Sequence, residues 1–177
     1  MKIALIVLLG LAGLVALLAL VGLALPRTHR ATSRITLQKP PAEVWATVRD
    51  LSSLLGTWQD LKSAHRLPDQ GGKEVWEQKA GGFSMRLIVE AADPPRRLVT
   101  RIDAADDAPF GGQWTYQLEP AGAGGGTQVT VSEEGYVSNP LFRAMMVLMG
   151  THRTVDSYLR ALGKKLGETV RPMHLDS

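Results

Sequence analysis

Residues 140–168 read PLFRAMMVLMGTHRTVDSYLRALGKKLGE. Leu141, Met145, Leu148, His152, Val155, Leu159, Leu162 and Leu166 recur there at alternating steps of four and three. Side chains so spaced share one side of a helix, so the pattern predicts one long amphipathic helix of about seven turns. Arg153, Asp156, Arg160, Lys164 and Lys165 fall off the stripe. Asp156 and Arg160 stand in the favourable i,i+4 order. Residues 169–177 read as a frayed tail.

Such a helix needs an apolar surface to cover, and the preceding segments supply one. Residues 34–37 alternate polar and apolar and predict a first strand. Pro40–Pro41 breaks it, and 42–50 predict a short helix with Pro41 in its first turn, where proline is tolerated. A second short helical turn is expected at 51–55. Six further strands are expected at 63–67, 73–79, 83–91, 98–103, 113–119 and 127–134. Glycine and proline turns separate them: Gly71–Gly72, Gly81–Gly82, Asp93–Pro94–Pro95, Pro109–Gly112 and Gly122–Gly126. In 83–91, Phe83, Met85, Leu87, Val89 and Ala91 alternate with Ser84, Arg86 and Glu90. Such alternation suits an antiparallel sheet with one covered face. An antiparallel meander has no crossover helices, so the closing helix is what its inner face must bury.

The expected fold class is therefore α+β: a seven-stranded antiparallel sheet wrapped around a long C-terminal helix, with two short helices after the first strand. The order of elements carries a resemblance, together with five loose motifs. These are Pro40–Pro41–Ala42–Glu43–Val44–Trp45, Asp50, Trp58, Gly126–Thr127–Gln128–Val129–Thr130, and Leu162–Gly163–Lys164–Lys165–Leu166. The chain resembles the helix-grip superfamily of START-like, Bet v 1-like and polyketide-cyclase or lipid-transport domains (SRPBCC). The resemblance covers about residues 31–168. It implies the helix-grip fold and an apolar cavity between sheet and helix, and it does not fix an activity, since one fold hosts many functions.

Before the domain lies a run without any charged or polar side chain, Ile3 to Leu25, 23 residues in all. At about 1.5 Å per residue it can cross a hydrocarbon core of about 30 Å. Residues 1–26 are read as a transmembrane anchor, 27–33 as a juxtamembrane linker, 34–168 as the helix-grip domain and 169–177 as a flexible tail. A cleaved signal peptide is the competing reading, with Gly22–Leu23–Ala24 as a passable cleavage site, but signal h-regions usually stop at about 15 residues. Lys2 precedes the segment and Arg27 and Arg30 follow it; the positive-inside rule leans towards a cytoplasmic domain and the short, signal-like N-terminus leans the other way, so the side of the soluble domain is left open. These cations are expected to meet lipid headgroups.

Composition excludes several classes. There is no cysteine, hence no disulfide, thiolate nucleophile or lipoprotein anchor. Lys2 aside, 19 basic and 17 acidic residues are interspersed, which argues against nucleic-acid binding. No two of His29, His65, His152 and His174 have metal-ligand spacing, so neither metal nor cofactor is expected. Gly122–Gly126 joins strand to strand, so it lacks the helix N-terminus that a phosphate loop uses.

The expected ligand cavity draws on His152, Tyr116, Trp114, Met85, Trp58, Met145, Met149 and Glu133. His152 interrupts the apolar stripe, so the helix reading turns it toward the cavity, where an imidazole could orient a ligand carbonyl or hydroxyl. A satisfied histidine at the cavity mouth is the plainer account. Glu133 shares parity with Val129 and Val131, and solvation at the sheet edge competes with an inward position. No catalytic residue is assigned, because no second ionisable group is placed beside His152. The leading expectation is a membrane-anchored binding or transfer module for a hydrophobic small molecule such as a lipid, isoprenoid or polyketide-like compound. A cyclase or dehydratase using His152 is the enzymatic alternative. A scaffold with a collapsed cavity and a protein partner is the third.

Overall fold

The computed structural model describes residues 2–105 and 108–175. Helix α1 (Lys2–Ala24) leads into β1 (Thr28–Leu37), α2 (Pro41–Arg49) and a meander: β2 (Leu61–Gln70), β3 (Lys73–Ala80), β4 (Phe83–Asp93), β5 (Arg97–Ile102), β6 (Phe110–Ala121) and β7 (Gly126–Val137). Helices α3 (Pro140–Met149) and α4 (Arg153–Lys165) follow, then β8 (Met173–His174). The strands form one sheet in the order β2-β3-β4-β5-β6-β7-β1-β8, with antiparallel neighbours throughout. This is the helix-grip arrangement, α+β.

The core lies where α4 and α2 cover the inner face of the sheet. Val155, Leu159 and Leu162 of α4 are fully buried against Leu37 of β1, Val129 and Val131 of β7 and Val44 of α2. Burying a Val or Leu side chain contributes about 1.5–3 kcal/mol, so this layer is the main source of stability.

Four details differ from the expected fold. The C-terminal helix is two helices: Gly150 has φ 90, a conformation open to glycine that no helix can continue through. Of the stripe's first half, Met145 and Leu148 are 40% and 73% exposed. Residues 51–57 form turns rather than a helix, opened by Asp50, whose carboxylate accepts from Ser52 N at 2.9 Å. β1 begins at Thr28, so residues expected to be a linker pair with β7, Thr28 opposite Tyr136. The tail adds an eighth strand, with His174 opposite Ser33 of β1.

Asp156 explains why the tail is held. It is 8% exposed although it falls off the apolar stripe. Ser33 Oγ donates to its Oδ1 at 2.8 Å, and Arg160 and His174 approach Oδ2 at 3.4 and 3.0 Å. A buried carboxylate needs such partners, and the tail supplies one of them.

A candidate ligand cavity

Between β3–β6 and the helices lies a cavity of about 510 Å³. Strand alternation builds its floor. Met85 and Leu87 of β4, Thr100 of β5, and Trp114 and Tyr116 of β6 all point inward, because each is two residues from the next on its strand or opposite it in register. Trp58 arrives from the turns after α2, and Tyr158 from α4.

Four aromatic rings close one side. Tyr158 meets Trp58 edge-on at 5.5 Å and Trp114 at 5.7 Å, and lies 5.4 Å from Tyr116. Edge-to-face pairs of this kind are worth about 0.5–1.5 kcal/mol beyond their burial. The Trp58 indole is fixed from behind: Nε1 donates to Ser157 Oγ at 3.0 Å, and Ser157 Oγ donates to Asp60 at 3.1 Å. Burial pushes the Tyr116 phenol well above its ordinary range; a hydrogen bond with Thr100 opposes the shift and Glu133 adds to it. Burial, then Tyr116, does the same to Tyr158. Both phenols therefore stay protonated at neutral pH.

Polar groups gather at the other end. Glu133 lies opposite Trp114 in register, and its Oε1 is 3.8 Å from His29 Nε2. Both side chains line the cavity and are largely buried. His29 Nδ1 is buried without a hydrogen-bond partner. A Cβ on Gly135 would come within 2.9 Å of His29 Cε1, so glycine opposite makes room for the ring. Among the described residues, no group of three or more histidines and carboxylates is arranged to hold a metal ion.

Of the expected cavity residues, Tyr116, Trp114, Met85, Trp58, Met149 and Glu133 line this space. Met145 does not; it lies one turn before Met149 on α3 and is 40% exposed. Nor does His152: the break at Gly150 makes it the cap of α4, and its ring stacks on His174 at 3.9 Å. Tyr158, His29, Phe83 and Met146 join the lining without having been expected there. His29 was findable: it shares parity with Ala31, Ser33, Ile35 and Leu37 once the strand is extended past its charged flank. Of the expected membrane flank, Lys2 opens α1 and Arg27 is exposed beyond it, whereas Arg30 sits in β1, 3.5 Å from Glu134 in an exposed pair.

A family model described as polyketide cyclase / dehydrase and lipid transport matches residues 28–168. The chain belongs to this family. Its solved structural relatives include TTHA0849 from Thermus thermophilus, with a TM-score of 0.63 and 19% identity over 78% of this chain and 97% of that one. The Zhui aromatase/cyclase from Streptomyces sp. R1128 has a TM-score of 0.60 and 18% identity over 78% and 94%. The hypothetical protein jhp0584 from Helicobacter pylori has a TM-score of 0.64 and 15% identity over 76% and 85%. At these identities the likeness is one of fold. No curated protein matches the sequence.

Proposed function

We propose that this family member is a membrane-anchored binding or transfer module for a hydrophobic small molecule, lipid, isoprenoid or polyketide-like. The cavity carries the reading. Its volume falls within the range of small-molecule sites, about 300–1,000 Å³, and its wall is largely aromatic and aliphatic, with His29 and Glu133 together at one place and other polar groups such as Asp60, Gln78 and Arg153 elsewhere in the lining. That division suits a ligand with an apolar body and one polar head. The head lies toward His29 and Glu133, and the body runs along Met85, Leu87 and Trp114.

The anchor is α1, which is long and apolar enough to cross a membrane by length and composition. A cyclase acting through His152 is not proposed, because that residue lies outside the cavity wall. A collapsed scaffold is disfavoured by the open volume. Native mass spectrometry of full-length protein extracted in mild detergent tests the proposal. The expected spectrum shows the protein with a co-released apolar molecule of defined mass. Bare protein, unchanged after incubation with total lipid extract, would overturn it.

A further inference from the structure

Helix α3 reads PLFRAMMVLM, and Arg143 is its sole polar side chain. Asn139 caps it, accepting from Leu141 N at 2.9 Å, so it is a built helix. A helix on a water-facing surface carries charge on its outer side. Here the outer side is Phe142, Met145, Val147, Leu148 and Met149, between 40% and 73% exposed. Phe83 of β4, 45% exposed, extends the patch, its ring 6.4 Å from Phe142. Contiguous apolar surface of this kind marks an interaction site.

The position of α3 says what covers it. A Cβ on Gly22 of α1 would fall 1.8 Å from the Pro140 carbonyl oxygen, so the two helices touch backbone to backbone. Leu18, Ala19 and Gly22, one face of α1, are covered while most of α1 is exposed. Arg143 is turned inward, 4% exposed, and its Nη1 donates 2.7 Å to the Leu25 carbonyl at the C-terminal end of α1. A cation there satisfies an orphan carbonyl and complements the helix dipole. Leu18 lies six residues before Ala24, about 9 Å along the axis. If α1 spans a bilayer, α3 is held within that depth of its end, where in-plane helices bury their apolar side. Exposed Arg27 and Arg153 flank it, the latter donating to Met149 Sδ at 3.2 Å, and suit anionic headgroups.

We propose that α3 is embedded in the leaflet of a phospholipid bilayer beside the anchor, and that the cavity mouth opens onto the acyl chains there. Phe83 and Met149 line the cavity and belong to the exposed patch, so the mouth and the docking surface are continuous. The inference rests on α1 being a span. It turns the cavity from a site loaded through water into one loaded from within the membrane.

The chain has no cysteine, so single-cysteine variants report single places. Leu148→Cys, Phe83→Cys, Leu9→Cys and Glu119→Cys, each labelled with an environment-sensitive fluorophore, are reconstituted at full length in phosphatidylcholine/phosphatidylglycerol vesicles. Circular dichroism verifies folding, with Val147→Cys as the substitute if Leu148→Cys fails. Probes at 148 and 83 are expected to be quenched by nitroxide-labelled lipid and at least about threefold less by iodide than the probe at 119. Equal iodide quenching at 148 and 119 would place α3 in water and overturn the proposal. So would shielding of 148 from both quenchers, which would mean a protein cover such as a second copy. A probe at 83 in water with 148 in lipid would overturn the orientation of the mouth. The probe at Leu9 separates the two readings. If it is open to iodide, the span itself fails; if it lies in lipid while 148 lies in water, this inference alone fails.

Discussion

Glu74 shows how one residue ties the meander to α2. Arg49 Nη1 donates to it at 3.0 Å and Trp76 Nε1 at 2.6 Å. The Arg49 guanidinium holds the carboxyl down from 4.5 to about 2, against the effect of burial and with help from the indole. A carboxylate with a lower pKa folded than unfolded contributes stability above the unfolded value and loses it as pH falls. Glu74→Gln is therefore expected to cost about 1–3 kcal/mol at pH 7, with the gap closing between pH 4.5 and 2. Urea titrations of both proteins at pH 7 and pH 3 measure this, and an equal gap at the two would contradict it. The histidines mark where reading single residues from sequence stopped. His152 kept the right spacing for an inward position, but spacing records no φ, and the break at Gly150 leaves His152 as the cap of α4 rather than a residue within a helix. His29 was hidden by Arg27 and Arg30, whose charge read as membrane flank although β1 already runs through that segment.

At the scale of elements, periodicity succeeded where an element has one water face and one core face. β6 shows this alternation from Tyr116 to Glu119, and α4 keeps Val155, Leu159 and Leu162 on its buried side, whereas β4 buries Ile88 and Val89 together at a register shift. It misled at α3, whose apolar residues continue the same steps but whose outer side is apolar too. It was silent for β8, because two residues carry no pattern. Leu159→Ala is expected to cost about 2–5 kcal/mol, since Leu159 is fully buried between α4 and the sheet. A loss below about 1 kcal/mol in thermal unfolding would mean that α4 does not carry the core. The tail makes a separate prediction. Ending the chain at Pro172 removes β8 and takes His174 from Asp156, leaving Ser33 and Arg160 as its partners. The expected loss is about 1–2 kcal/mol, at or below the low end for one hydrogen bond to a charged group because the His174 side chain is half exposed. Combining the truncation with Asp156→Asn tests the link: losses that simply add would show that the tail acts elsewhere.

For the whole molecule, the size of the cavity decides what it can be. A dry void costs about 24 cal/mol per Å³, so 510 Å³ held empty would cost on the order of 12 kcal/mol. That is comparable to the entire stability of a domain, about 5–15 kcal/mol. The cavity opens at a mouth beside Phe83 and Met149, so water or a ligand occupies it and that cost is not borne. Water is a poor filler along Met85, Leu87 and Trp114, where it would find few partners. An apolar molecule suits that wall better than water does. Met85→Trp tests this, because Met85 lines the cavity and the larger ring would take up part of its space. If the cavity is a binding site, the variant is expected to lose the co-purified molecule. Its unfolding temperature is then expected to match or exceed that of delipidated wild type, while falling below that of loaded wild type. The second comparison follows from linkage: a ligand at 100 times its Kd adds about 2.7 kcal/mol that the filled variant can no longer gain. If the space is a packing gap with no ligand, delipidation changes nothing and Met85→Trp is the more stable protein under every condition. Thermal unfolding of four samples, each protein before and after delipidation, distinguishes the two.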